Sequence, residues 1–122
     1  MMFREVREIG IVLEGIKEYS DGPNIRPSFE YLLKRMTDVV LKTTNKYNVK
    51  KDVAELVWYN GVPTIKEVVS SNKIELTKRD AEIILKIVVR ATKYFKDDFV
   101  YYGKYNILLD SIKEFDEYVK TL

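Results

Sequence analysis

Three pairs of acids stand at helical spacing in this chain: Glu5 with Glu8, Glu14 with Glu18, and Glu114 with Glu117. Carboxylates three or four residues apart share one helix face, which is how the metal sites of di-metal bundles are assembled. Those bundles add a Glu-x-x-His element on two helices, and this sequence holds no His. It holds no Cys either, which excludes thiolate nucleophiles, disulfides, imidazole bases and Cys/His metal sites. No glycine-rich phosphate loop, nucleophile elbow or metalloprotease motif is present. The acid pairs therefore read as surface carboxylates lining amphipathic helices. The expectation is a protein that is not an enzyme, with no catalytic residue, metal or cofactor.

The cations make a stronger pattern. The net charge is only +2, yet between residues 34 and 51 Lys34, Arg35, Lys42, Lys46, Lys50 and Lys51 oppose the single acid Asp38. Further on, Asp110, Glu114, Asp116 and Glu117 outweigh Lys113, so a near-neutral total hides a basic middle and an acidic end. At 3.6 residues per turn, Tyr31, Lys34, Arg35, Lys42 and Lys46 fall within about a third of a helical wheel, and Lys50 and Lys51 extend the run. Clusters of this kind neutralise phosphates, and an interleaved tyrosine stacks on a base. The competing reading is an ordinary solvated lysine face.

Aromatic residues form the second constellation: Trp58, Tyr59, Tyr101, Tyr102 and Tyr105. Aromatics serve interfaces because they join a large apolar area to a polar tip, and they also seal small cores. Trp58 reads as core. Tyr101 and Tyr102 sit in a connector beside Gly103 and are the interface candidates.

The elements that hold these residues are helical. Phe3, Val6, Ile9, Leu13 and Ile16 recur at three- and four-residue spacing and predict a helix from about Phe3 to Tyr19. Gly10 and Gly15 each weaken it by up to about 1 kcal/mol, so packing must hold it. Gly22-Pro23 and Pro27 then stop it. A second helix opens at Ser28 as N-cap and runs to about Lys46, with Phe29, Leu32, Leu33, Met36, Val39, Val40, Thr43 and Tyr47 on its apolar side. Glu30–Lys34 and Asp38–Lys42 are i,i+4 pairs in the favourable order.

A third helix covers roughly Val49 to Tyr59 and ends at Asn60-Gly61. Asn-Gly is a strong hairpin signal only between alternating strands, and neither flank alternates. It reads instead as a helix–helix corner, with Gly61 in the left-handed position past the helix end and Thr64…Glu67 as a capping box for a short helix over about Ile65 to Ser70. Thr77…Asp80 is a second capping box, opening a helix to about Phe95 whose polar stripe is narrow: Glu82, Lys86, Arg90 and Lys93. A helix apolar over most of its girth must be surrounded by others, so this is the expected centre. "KDDFVYYG" reads as a connector. The last helix, about Lys104 to Thr121, carries Tyr105, Leu108, Ile112, Phe115, Val119 and Leu122 at heptad spacing, too short for a coiled coil and so a core face.

At 122 residues and 46% apolar content the chain fits one domain with a real core. No apolar run nears the roughly 20 residues of a spanning helix and no signal-peptide pattern opens it, so a cytoplasmic protein with no membrane contact is expected. The lack of Cys and Gln and the 33% charged residues point to a thermophile, and six Asn residues point the other way.

The segment "KYNVKKDVAELVWYNGVPTIKEVVSSNK" resembles the central segment of the small helical subunit of Cmr-type (type III) CRISPR effector complexes. Lys46-Tyr47, Leu56, Val57, Asn60-Gly61, Val68, Val69 and Lys73 stand in places comparable to that family's pattern, and "YNILLDSIKEFDEYV" is similar to its closing helix. The chain departs from the pattern at Ala54 and Glu55, where the family often has a proline, and at Val62-Pro63, which replaces an apolar pair. The resemblance spans about Arg26 to Leu122 and implies a non-catalytic, RNA-contacting subunit stacked along a guide–target duplex.

Taken together, the expected architecture is all-α: a single domain over residues 1–122, of five to six helices around Ile83 to Phe95. The expected role is a subunit of a protein complex that contacts RNA or DNA backbone through Tyr31, Lys34, Arg35, Lys42, Lys46, Lys50 and Lys51. The second reading is a protein-binding accessory protein, virus- or plasmid-encoded, that forms a homodimer through Tyr101, Tyr102 and other aromatics without nucleic acid.

Overall fold

Ser28 opens the first helix as its spacing predicts: the side-chain oxygen accepts the Tyr31 backbone N–H at 3.0 Å. The computed structural model describes residues 28–122, and the helix expected over Phe3 to Tyr19, with Glu5/Glu8 and Glu14/Glu18, lies outside them. The described residues form six helices and no strand: α1 (Phe29–Lys46), α2 (Lys51–Tyr59), α3 (Val62–Ser70), α4 (Lys78–Tyr94), α5 (Lys96–Tyr101) and α6 (Tyr105–Val119). The fold is all-α, as the periodicities predict.

One physical device ends three of these helices. Asn48, Asn72 and Gly103 take left-handed backbone angles (φ 63°, 58° and 68°) just past α1, α3 and α5. In each case the next amide turns back on the last helical turn, as Val49 N–H does to Thr44 C=O, Lys73 to Val68 and Lys104 to Phe99. This is the Schellman arrangement, and it uses residues that tolerate positive φ. Gly61 does not join them. Its φ is −81°, and the α2–α3 corner is made of two extended residues with Asn60 Nδ2 donating to the Leu56 carbonyl at 3.0 Å. The corner exists as predicted, but Asn60's side chain, not a left-handed glycine, supplies the missing donor.

The capping box at Thr64 and Glu67 is likewise absent. Helix α3 starts two residues earlier, at Val62, with Gly61 as N-cap and Pro63 in the first turn. Proline's fixed φ suits that position, where its missing N–H costs nothing, and the earlier start buries Val62. The Thr77 cap does form, with Thr77 Oγ1 accepting from Asp80 N–H at 3.1 Å. The Asp80 carboxylate meets Arg79 Nη1 at 2.8 Å. The supposed connector "KDDFVYYG" contains α5, which plants Phe99 in the core.

All six helices share one core, built on Phe29, Met36, Trp58, Ile65, Ile84, Phe99, Leu108 and Phe115. Each such side chain contributes about 1.5–3 kcal/mol by leaving water. Helix α4 packs mainly against α1 and α6. It is the hub, but the described residues do not encircle it. Tyr94 is 77% exposed and Val89 only half-buried, so residues that look apolar on a wheel lie on flanks that α1 and α6 do not reach. Helix α6 buries Leu108, Ser111, Phe115, Tyr118 and Val119, which makes its heptad spacing a core face. Burial pushes the Tyr118 phenol above its ordinary range.

Candidate nucleic-acid interface

Helix α1 buries Phe29, Leu32, Leu33, Met36, Val40 and Thr44, which fixes what the opposite side must carry. That side presents Tyr31, Lys34, Arg35, Lys42 and Lys46, all exposed, with Asp38 the one acid among them. Tyr31 is 52% exposed, so its ring face is open. The expected Glu30–Lys34 and Asp38–Lys42 pairs do not close. Among the described residues no carboxylate stands within salt-bridge distance of Lys34, Lys42 or Lys46.

Arg35 differs from its neighbours. Its guanidinium lies 5.6 Å from the centre of the Phe95 ring, a cation–π contact that lays the side chain over the end of α4 and fixes its direction. Lys50 and Lys51 lie past the Asn48 turn. Lys50 is the N-cap of α2 and makes no side-chain cap bond, while Lys51 reaches Glu55 at 3.5 Å. The structure thus gathers Tyr31, Lys34, Arg35, Lys42 and Lys46 on one helix and puts Lys50 and Lys51 on another, the latter partly neutralised.

Two flanks border this crest. On one, α2 brings Trp58, 2% exposed, whose indole N–H donates to Thr37 Oγ1 at 2.7 Å. The Thr37 hydroxyl in turn donates to the Leu33 carbonyl at 2.7 Å. Trp58 is core, as expected. Above it remains a dent of about 230 Å³ lined by Glu30, Lys34, Asp38 and Tyr59 among others.

On the other flank, α4 runs antiparallel to α1. Arg79 Nη2 donates to the Tyr47 carbonyl at 3.0 Å at one end, and Arg35 covers Phe95 at the other. Between the two helices lies a groove of about 500 Å³ whose lining includes Val39, Thr43 and Tyr47 of α1 and Ile83, Ile87 and Tyr94 of α4. Val39 and Tyr47, placed on the apolar side of α1 by their spacing, are 43% and 53% exposed here. The polar members of the lining from α4 are Lys86 and Arg90. Lys42 and Lys46 follow Val39 and Thr43 by three residues and so neighbour them on the helix surface. Lys86 and Arg90 therefore stand across the groove from the crest. No local pattern in the sequence shows this, because it depends on which helices pair.

The aromatic candidates separate. Tyr101 is 54% exposed and meets Tyr102 edge-on at 5.0 Å. Tyr102 is half-buried, with its ring 5.2 Å from that of Phe29, and belongs to the rim of the core; its assignment to an interface is corrected. Among the described residues no group of three acidic, His or Cys side chains could hold a metal ion, and no helix is long and apolar enough to cross a membrane.

Fold and site together define an all-α bundle with a cationic helix crest. No protein-family model matches the chain, and neither a curated protein nor a solved structure is detectably similar to it.

Proposed function

We propose that this protein is a non-enzymatic subunit of a nucleoprotein assembly that holds the phosphate backbone of RNA or DNA on the outer face of α1. The observation that carries this reading is the row of cations at Lys34, Lys42 and Lys46, exposed and without carboxylate partners among the described residues. At 1.5 Å rise per residue, Lys34 to Lys46 spans about 18 Å of helix, room for several phosphates. Tyr31 adds a ring on which a base stacks, and Lys86 and Arg90 widen the positive surface across the groove. The similarity of the Asn60-Gly61 segment to the small Cmr subunits supports RNA as the ligand and a guide–target duplex as the setting.

The test is an electrophoretic shift with single-stranded RNA at 50 and 200 mM salt. With about four phosphate contacts, log K falls with log salt at a slope near −2.8, so affinity drops about 50-fold over that range. Lys42→Glu with Lys46→Glu removes two contacts and should abolish the shift at the higher salt. Binding that ignores salt, or that survives the double substitution, removes the proposal. The exposed Tyr101 favours a second reading, dimerisation through aromatics without nucleic acid. A stable dimer that gives no shift selects it.

A further inference from the structure

The groove between α1 and α4 leaves Val39, Tyr47 and Tyr94 open, a contiguous apolar strip of the kind that soluble folds cover. We propose that the chain covers it itself, with the segment from Phe3 to Tyr19 lying as a helix along the groove. Three observations select this occupant. The first is need on both sides. Phe3, Val6, Ile9, Leu13 and Ile16 make an apolar stripe, and Gly10 and Gly15 leave the segment too weak to stay helical unless it packs.

The second is reach. The eight residues 20–27 span up to about 26 Å, and Val39 lies about 16 Å along α1 from Ser28. Pro23 and Pro27 break the helix there, so the segment folds back antiparallel to α1. Its 17 residues, about 25 Å as a helix, are longer than the stretch from Val39 to Tyr47, about 12 Å. The third is charge. Cations and no carboxylate line the groove, through Lys86 and Arg90. The segment brings Glu5, Glu8, Glu14 and Glu18 against Arg4, Arg7 and Lys17. A fold-back of this kind seats Leu13 near the level of Thr43 and Ile16 near Val39, and turns Glu18 away from the groove.

The absence of cysteine from the chain makes a direct test clean. In the full chain, Thr43→Cys is paired in turn with Ile9→Cys, Leu13→Cys, Ile16→Cys and, as the outward control, Glu18→Cys. Mild oxidation at low concentration should link at least one of the three stripe positions within a single chain, at a rate about tenfold or more above the control. Links between chains, equal rates at all four positions, or no link at all overturn the proposal, the first in favour of a second copy. Hydrogen exchange gives an independent reading. Amides of residues 3–19 should be protected in the unsubstituted chain and lose protection about tenfold or more in Val39→Glu with Ile83→Glu, while α6 keeps its own. An unprotected segment, or protection indifferent to the two glutamates with α6 intact, overturns it. Should the substituted chain unfold, the cysteine pairs decide alone.

Discussion

Helix α1 is closed on its α2 flank by Trp58, whose ring is buried and whose indole N–H finds Thr37, whereas on its α4 flank Val39, Tyr47 and Tyr94 stay open beside Lys86 and Arg90. Both flanks begin from the same kind of apolar surface. They differ in what the facing helix offers. Helix α2 brings one large amphipathic ring with a polar handle, and α4 brings Ile83, Ile87 and Ala91, which fill the depth of the cleft but not its mouth. A flank sealed by a single side chain depends on that side chain. A flank left open stands ready for a further element and contributes less to holding α1 in place until one arrives.

Trp58→Ala is the largest test of this contrast. Removing a fully buried aromatic costs about 3–5 kcal/mol, a large share of the roughly 5–15 kcal/mol that stabilises a domain of this size. Urea unfolding followed by helical circular dichroism should show that loss. A cost under about 1 kcal/mol would mean that neighbouring side chains, not Trp58, close the α2 flank.

Thr37→Val comes next. The substitution keeps the shape of Thr37 but removes the oxygen that accepts the indole proton, leaving a buried donor without this partner. The expected cost is about 1–3 kcal/mol. Measured again in a Trp58→Phe background, where no N–H remains to satisfy, it should shrink towards the loss of the Thr37–Leu33 bond alone. An equal cost in both backgrounds would show the contact to be incidental.

The closed flank was legible in the sequence and the open one was not. The 3.6-residue period of Phe29, Leu32, Leu33, Met36 and Val40 locates the buried side of α1, and Ser28 marks its start, because both signals are local. Trp58 reads as core from the helical pattern around it. Val39, Ile83 and Tyr94 carry the same apolar signal as truly buried residues, and a wheel holds no information on which neighbour covers which flank. For the same reason Lys86 and Arg90 look like a solvated stripe until the antiparallel pairing of α1 and α4 sets them opposite Lys42 and Lys46. At the start of α3 two local signals compete, the Thr64 box and Pro63 in the first turn, and the burial of Val62 decides for the proline. Helix α5, with six residues, is too short to show a period.

The smallest expected effect belongs to the crest between the flanks. Lys42 and Lys46 are exposed, have no carboxylate within reach among the described residues, and follow the buried positions only by the turn of the helix. Surface substitutions with no partner to lose leave stability almost untouched. Lys42→Glu with Lys46→Glu should therefore unfold at the same urea concentration and with the same steepness as the unsubstituted chain. This matters because the same pair is the one whose reversal should end RNA binding. A loss of binding with stability unchanged assigns these lysines to phosphate. A loss of both would show that the crest is tied into the fold by contacts that α1 alone does not reveal, and the contrast between a sealed flank, an open flank and a free crest would have to be redrawn.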